Sequence, residues 1–264
     1  MLIDAADALT LAAHLLGGSL LLQTLELLLV RRSFSEQGIW TMAVLRQELV
    51  QLPAALRVPC LTLFPYPRFV ALLVVQAGLA ASLLCFGATP LLLPAAAIAL
   101  LISMRFRGTY NGGSDAMTLL AALCLAIAAC APAYPLVQRG CLGYLALQTC
   151  LSYFLAGIAK LKQPSWRQGA ALAQFANQPR YAVPARALAL LRRPLVSRAA
   201  GYLVMAFECS FPLALLGPRW CLGYLSVALV FHLNNAALFG LNRFLFAWLA
   251  AYPALLYVSG HGPL

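Results

Sequence analysis

Four places in the chain put groups capable of proton chemistry where an apolar sequence does not require them. In YFLAGIAKLKQPSWRQG, residues 153–169, an apolar helix ends on Lys160 and Lys162. Collar lysines are common at helix ends, because the long stem carries the ammonium to the interface. A lysine held in an apolar pocket instead loses the hydration that favours its charged form, and can act as a base. Gln148 and Tyr153 lie upstream on the same predicted helix, and Trp166 follows as an ordinary interface anchor. In AFECSFPLAL, Glu208 falls near the middle of its apolar run. A carboxyl group there is protonated, paired with Lys or Arg, or hydrogen-bonded to an intramembrane partner, and both a structural and a catalytic role stay open. In FHLNNAALFG, His232, Asn234 and Asn235 share one predicted helix, with His232 and Asn235 on one face at i, i+3. The histidine is either a satisfied structural donor or a proton carrier. In RFRGTYNGGSDAM, Gly112 and Gly113 permit positive φ, and Ser114 or Asp115 can cap the helix that follows. The functional alternative there is that Asn111 and Asp115 line a polar mouth. His14 and Glu26 in the first apolar run suit interhelical hydrogen bonds.

The elements that position these groups are membrane helices. The 264 residues are 63% hydrophobic and 9% charged, with a mean hydropathy of +0.86, whereas a soluble domain carries about 25% charged residues. Apolar stretches near spanning length run over 8–30, 67–87, 89–105, 115–133, 138–159, 197–216, 219–238 and 242–258. Each is close to the roughly 20 residues that cross the hydrocarbon, two of them on the short side. The expected fold is therefore an all-α polytopic membrane bundle of about eight transmembrane helices. The whole chain, 1–264, reads as one transmembrane domain with no soluble domain. Segments 31–66 and 160–196 are long connections with amphipathic character. In the first, Ile39, Met42, Ala43, Leu49 and Val50 can share a face that lies in the interface. Pro184 and Pro194 break the second.

With both termini outside, only Arg139 and Arg219 of the 18 basic residues fall outside, and the other 16, Arg180 among them, fall inside. That asymmetry satisfies the positive-inside rule and explains the net charge of +11 without nucleic acid. The N-terminus MLIDAADA is acidic, so the first run reads as a retained helix rather than a cleaved signal. The eight cysteines form no CxxC pair and no metal spacing, although Cys130, Cys141 and Cys221 could pair on an oxidising face. No GxSxG, P-loop or HExxH occurs, and no inverted repeat supports a transporter.

Three of these segments together resemble the HTTM superfamily, membrane domains related to vitamin K-dependent γ-glutamyl carboxylase. NGGSD at a helix head is similar to the family's asparagine-glycine-aspartate motif. LQTCLSYFLAGIAKLKQPSWRQGAAL is similar to its stretch of glutamine, tyrosine, alanine-glycine, lysine, tryptophan and glycine. ECSFPLALLGPRW and FHLNNAALFGLNRFLFAWLAAYPAL resemble its glutamate and histidine helices. The likeness runs from about residue 100 to 256.

The resemblance implies an enzyme of the carboxylase type. A reduced, vitamin K-like hydroquinone would react with oxygen, and the strong base so formed would modify a peptide or small molecule, with carbon dioxide as co-substrate where the product is a carboxylate. Lys160 matches the lysine that deprotonates the quinol, and His232 matches the histidine of the late helix. Asn111, Asp115, Gln148, Tyr153, Trp166, Glu208, Asn234 and Asn235 would line the quinone and substrate pocket. No metal is implied. Where the carboxylase branch has adjacent lysines, this chain has Ala159-Lys160, and it has no large propeptide-binding region. Lys160 also falls toward the cytoplasmic face, whereas the eukaryotic enzyme works on the lumenal side. The implied setting is a bacterial inner membrane, with the bilayer, a quinone and a precursor peptide or accessory subunit as partners. The alternative is a non-catalytic accessory protein for maturing or exporting a secreted peptide or toxin.

Overall fold

The computed structural model describes residues 3–179, 181 and 183–261; Arg180 and the two terminal residues, used above to orient the chain, lie outside the described residues. The helices are α1 (Ala5–Leu29), α2 (Met42–Leu49), α3 (Ala54–Leu63), α4 (Arg68–Phe86), α5 (Leu92–Arg105), α6 (Gly113–Cys130) and α7 (Pro135–Lys162). They continue with α8 (Pro164–Arg167), α9 (Ala170–Ala176), α10 (Ala185–Leu191), α11 (Pro194–Ser210), α12 (Pro218–Phe239), α13 (Asn242–Leu249) and α14 (Tyr252–His261). Among the described residues there is no strand. The protein is an all-α polytopic membrane protein.

Seven helical stretches are long and apolar enough to cross a bilayer: α1, α4, α6, α7, Pro194–Leu216, α12 and Asn242–His261. The eighth expected stretch, 89–105, is helical but short. A 3₁₀ turn over Thr89–Leu91 leads into the 14 residues of α5, about 21 Å at 1.5 Å per residue. Pro90 and Pro94 supply no amide donor, which suits the first turns of a helix and prevents an earlier start. Pro212 acts similarly in α11, where the regular helix tightens into a 3₁₀ turn over Phe211–Leu216.

The chain forms two compact units. Among the described residues, one comprises 5–141 with 246–250, and the other 3–4, 142–245 and 251–261. In the first unit α1 lies against α4, with Gly17 at the contact. A Cβ on Gly17 would come within 2.8 Å of the Ala80 carbonyl oxygen, so only glycine lets these backbones meet. Polar side chains bridge the helices. His14 Nδ1 lies 2.8 Å from the Leu84 carbonyl, the Ser19 and Thr118 hydroxyls are 2.7 Å apart, and Gln76 donates to the Ala95 carbonyl at 3.1 Å. Below α2, Phe34, Phe64, Phe69 and Phe106 form a core with Leu45, Leu49 and Cys60. The buried face of α2 is thus Leu45 and Leu49. Ile39 precedes the helix, which starts after the Thr41 cap, and Ile39, Ala43 and Val50 are exposed rather than sharing that face.

In the second unit α8, α9 and α10 pack on α11, while α12 packs on the 3₁₀ turn after α11 and on α14. The prolines of segment 160–196 act as boundaries. Pro184 precedes α10, and Pro194 opens α11 at a position where the missing amide costs nothing. All eight cysteines are unpaired thiols.

Candidate functional site

Three helix faces converge in the second unit. On α7 the buried positions Leu142, Leu145, Ala146, Thr149, Cys150, Tyr153 and Gly157 step by three and four, and Lys160 continues the stripe. On α11 the buried positions are Ser197, Gly201, Met205 and Glu208, and on α12 they are Cys221, Leu225, Ala228 and His232. The chemistry-bearing residue ends each stripe, so the same periodicity that buries the helix aims it.

Gly157 decides how closely α7 meets α11. A Cβ there would lie 2.7 Å from Cys209 Sγ, 2.8 Å from the Cys209 amide nitrogen and 3.0 Å from Glu208 Cβ. That approach brings Lys160 Nζ to 2.8 Å from Oε1 and 2.7 Å from Oε2 of Glu208. The ammonium donates to both carboxylate oxygens. The Glu208 side chain is 4% exposed and that of Lys160 22%, so the pair is closed on the glutamate side and open on the lysine side.

Trp166 covers the ammonium with its ring centroid 5.4 Å from Nζ, within cation–π range. Its position follows from a seat on α11. Gly169 turns the chain with φ +83°, and a Cβ there would fall 2.7 Å from Arg198 Cα. Ser197 donates to the Gly169 carbonyl at 2.5 Å, and Gly201 leaves room for the Trp166 carbonyl.

One turn and more before Lys160, the Tyr153 hydroxyl and His232 Nε2 are hydrogen-bonded at 2.6 Å, both groups buried. The Tyr153 ring stacks on Phe211 at 3.9 Å and meets Phe207 edge-on at 5.6 Å. Tyr252 lies against Tyr153, and Phe207 contacts Tyr224 and Phe231. Phe207 also lines an open cavity of about 410 Å³ with Trp220, Gly223, Tyr224 and Val227, and Arg219 sits at its edge. An aromatic groove thus leads to the residue next to Glu208.

The unit therefore assembles Lys160, Glu208 and Trp166, and, beside them, Tyr153 and His232. The other candidates sit elsewhere. Gln148 is half-buried, five residues before Tyr153 and so about 140° around α7 from it. Asn234 is exposed and donates to the Val230 carbonyl at 2.8 Å within its own helix. Two residues after His232, it points about 200° away. Asn235 is half-buried, one turn after His232, and its carbonyl accepts the amides that end α12. Asn111 and Asp115 belong to the first compact unit. Asp115 accepts the Asn111 amide at 2.7 Å and Ser114 donates to the Asn111 carbonyl at 3.0 Å, a closed turn at the head of α6. Sequence reasoning missed Phe207, Phe211 and Tyr224. Phe207 and Phe211 at i, i+4 around Glu208 were the signal available. Among the described residues no three His, Cys, Asp or Glu side chains converge as metal donors.

The stretch from residue 134 to 259 matches the family model described as the HTTM domain. It contains Gln148, Tyr153, Lys160, Trp166, Glu208, His232, Asn234 and Asn235, and begins after Asn111 and Asp115. No curated protein and no solved structure matches the chain. The convergent unit and the matched stretch nearly coincide, and the chain is an integral membrane protein whose residues 134–259 match the HTTM domain model.

Proposed function

We propose that this HTTM domain is the catalytic part of a quinol-dependent membrane enzyme related to vitamin K-dependent carboxylase. It couples oxidation of a reduced quinone by oxygen to modification, carboxylation among the options, of a peptide or small molecule. The observation that carries the proposal is the Lys160–Glu208 pair, buried on the glutamate side, in the unit that also holds the aromatic cavity lined by Phe207.

The residues fit a hydroxylated aromatic ring with an apolar tail. Phe207, Tyr224 and Trp220 offer flat walls and Arg219 stands at the edge, while Tyr153–His232 and Lys160–Glu208 are hydrogen-bonded pairs of the same unit. A reduced quinone bound there supplies a phenolic proton and the two electrons that reduce oxygen. Glu208 holds the Lys160 ammonium, and a proton passed within the pair would leave a neutral amine, the form a base requires. Trp166 shields that amine from water on its open side. Tyr153 and His232 present a coupled donor and acceptor that orient an oxygen atom, the task Asn234 is too far round the helix to perform. The asymmetry of basic residues supports both termini outside a bacterial cytoplasmic membrane.

The test is oxygen consumption by the purified full chain given vitamin K hydroquinone. The native protein consumes oxygen, and Lys160→Met loses about 100-fold or more, as for removal of a catalytic base. Asn234→Ala keeps the native rate. Native protein that consumes none, or Lys160→Met that consumes oxygen at the native rate, overturns the proposal.

A further inference from the structure

Arg105, the last residue of α5, is the unexplained charge of the first compact unit. It is 2% exposed. Its guanidinium donates to one acceptor, the Trp40 carbonyl, and its Nε is buried with no partner. The rings of Phe34 and Phe69 lie 5.9 and 5.4 Å from its central carbon. A guanidinium carries five donors and stays charged in proteins, and a buried charge is costly until an anion meets it. Aromatic faces offset part of that cost but accept no N–H in the plane of the fork. Arg105 makes no ion pair among the described residues, whereas Arg107, two residues on, pairs with Glu48 at 2.7 Å.

Arg105 lines a cavity of about 380 Å³ together with Ile39, Trp40, Thr41, Val44 and Arg107. That volume lies in the range of about 300–1,000 Å³ typical of ligand sites. The lining holds two arginines and no carboxylate, and since Arg107 is paired with Glu48, Arg105 is the uncompensated charge. Arg107 is held at φ +58°, a conformation uncommon for a residue with a side chain. The cavity shares Leu45 and Arg107 with a second one of about 510 Å³.

The wall opposite the arginines is apolar and uncovered. Ile39 is 85% exposed and Val44 63%, and Trp40 is the residue type favoured at the membrane interface. A soluble anion would satisfy Arg105 and leave that wall in water. A lipid satisfies both, with its headgroup on the guanidinium and a chain along the aliphatic side. We propose that the Arg105 cavity holds the phosphodiester headgroup of an anionic membrane lipid, with Arg105 as its main cationic partner and the nitrogens of Arg107 not engaged by Glu48 as a second one. The site lies outside residues 134–259 and stands independently of the quinol reaction.

Native mass spectrometry of the full chain in a neutral detergent, titrated with phosphatidylglycerol, phosphatidylcholine of the same chains, or inorganic phosphate, tests this. Phosphatidylglycerol binds about tenfold or more tighter than phosphatidylcholine, and millimolar phosphate does not displace it. Arg105→Gln and Arg107→Asn each weaken phosphatidylglycerol by about tenfold, the scale of a lost charge-assisted hydrogen bond. Arg107 is half-exposed and asparagine tolerates positive φ, so this variant keeps the test open if Arg105→Gln fails to fold. Equal retention of the two lipids, unchanged affinity in Arg107→Asn, or displacement by free phosphate overturns the proposal.

Discussion

Lys160 and Glu208 are unequal partners, and the inequality predicts which substitution does more damage. At 2.7 Å their gross attraction is roughly 6 kcal/mol with an effective dielectric constant of about 20. Desolvation of the two ions, several kcal/mol each, offsets most of that. The intact pair is therefore worth little net, while half of it is a liability. Lys160→Met leaves Glu208, 4% exposed, without a counter-charge, and breaking a buried pair in this way costs about 3–5 kcal/mol. Glu208→Leu leaves a lysine that already reaches the surface and can snorkel, so its cost is about 1–2 kcal/mol. Replacing both, as Lys160→Met with Glu208→Leu, puts apolar volume where the ions were and stays within about 1 kcal/mol of native. Denaturant titration of the four proteins in one detergent completes a double-mutant cycle with a coupling of about 3 kcal/mol or more. The reasoning fails if Glu208→Leu is as damaging as Lys160→Met, or if the double variant is no better than Lys160→Met.

Gly157→Ala drives a methyl group onto Cys209 Sγ and its backbone, which predicts a loss of about 1–3 kcal/mol from forced separation of α7 and α11. Gly140→Ala, on the same helix with nothing within 4 Å of a new Cβ, serves as control and keeps the native thermal midpoint. Tyr153→Phe removes the 2.6 Å bond to His232, which predicts a loss of about 1 kcal/mol, as for one buried hydrogen bond. The same variant slows hydroquinone-dependent oxygen uptake without altering its dependence on Trp166. Asp115→Ala opens the turn at the head of α6 and costs about 0.5–2 kcal/mol, as for a lost helix cap. Oxygen uptake per folded molecule stays native in that variant if Asp115 is a cap, and falls if it lines the reaction site.

The helices were legible because bilayer thickness and hydropathy leave few alternatives, and seven of the expected spans follow directly from that constraint. Span 89–105 shows the limit. Its composition is apolar enough, but the prolines at 90 and 94 shorten the regular helix. Within the site, Tyr153, Gly157 and Lys160 could be placed on one face from their spacing alone. The partner of Lys160 could not, since 48 residues separate it from Glu208 and spacing carries no information across two helices. Trp166 illustrates the same gap. As a sequence feature it is an interface tryptophan. Only the seat made by Gly169, Ser197 and Gly201 brings its ring over the ammonium. Asn234 failed to join for a reason that was available in advance, because a residue two positions from His232 cannot share its face.

Acid is scarce in this chain, and that gives the pairing pattern its meaning. Seven carboxylates serve 18 basic residues, so most cations must be satisfied by water, by rings or by lipid phosphate. Arg107 holds Glu48 at the surface, where both side chains are about half-exposed and such a bond is worth little. Lys160, which could have snorkelled as Lys162 does, instead takes both oxygens of an acid with almost no access to water. A collar lysine gains nothing from that arrangement, and stability gains little either, since desolvation consumes the attraction. On the function proposed above, what the pair supplies is chemistry rather than stability. Arg105 is the complementary case, a buried cation that makes no ion pair among the described residues. Its charge must be met from outside the chain, and in a bilayer the abundant anion is a headgroup phosphate.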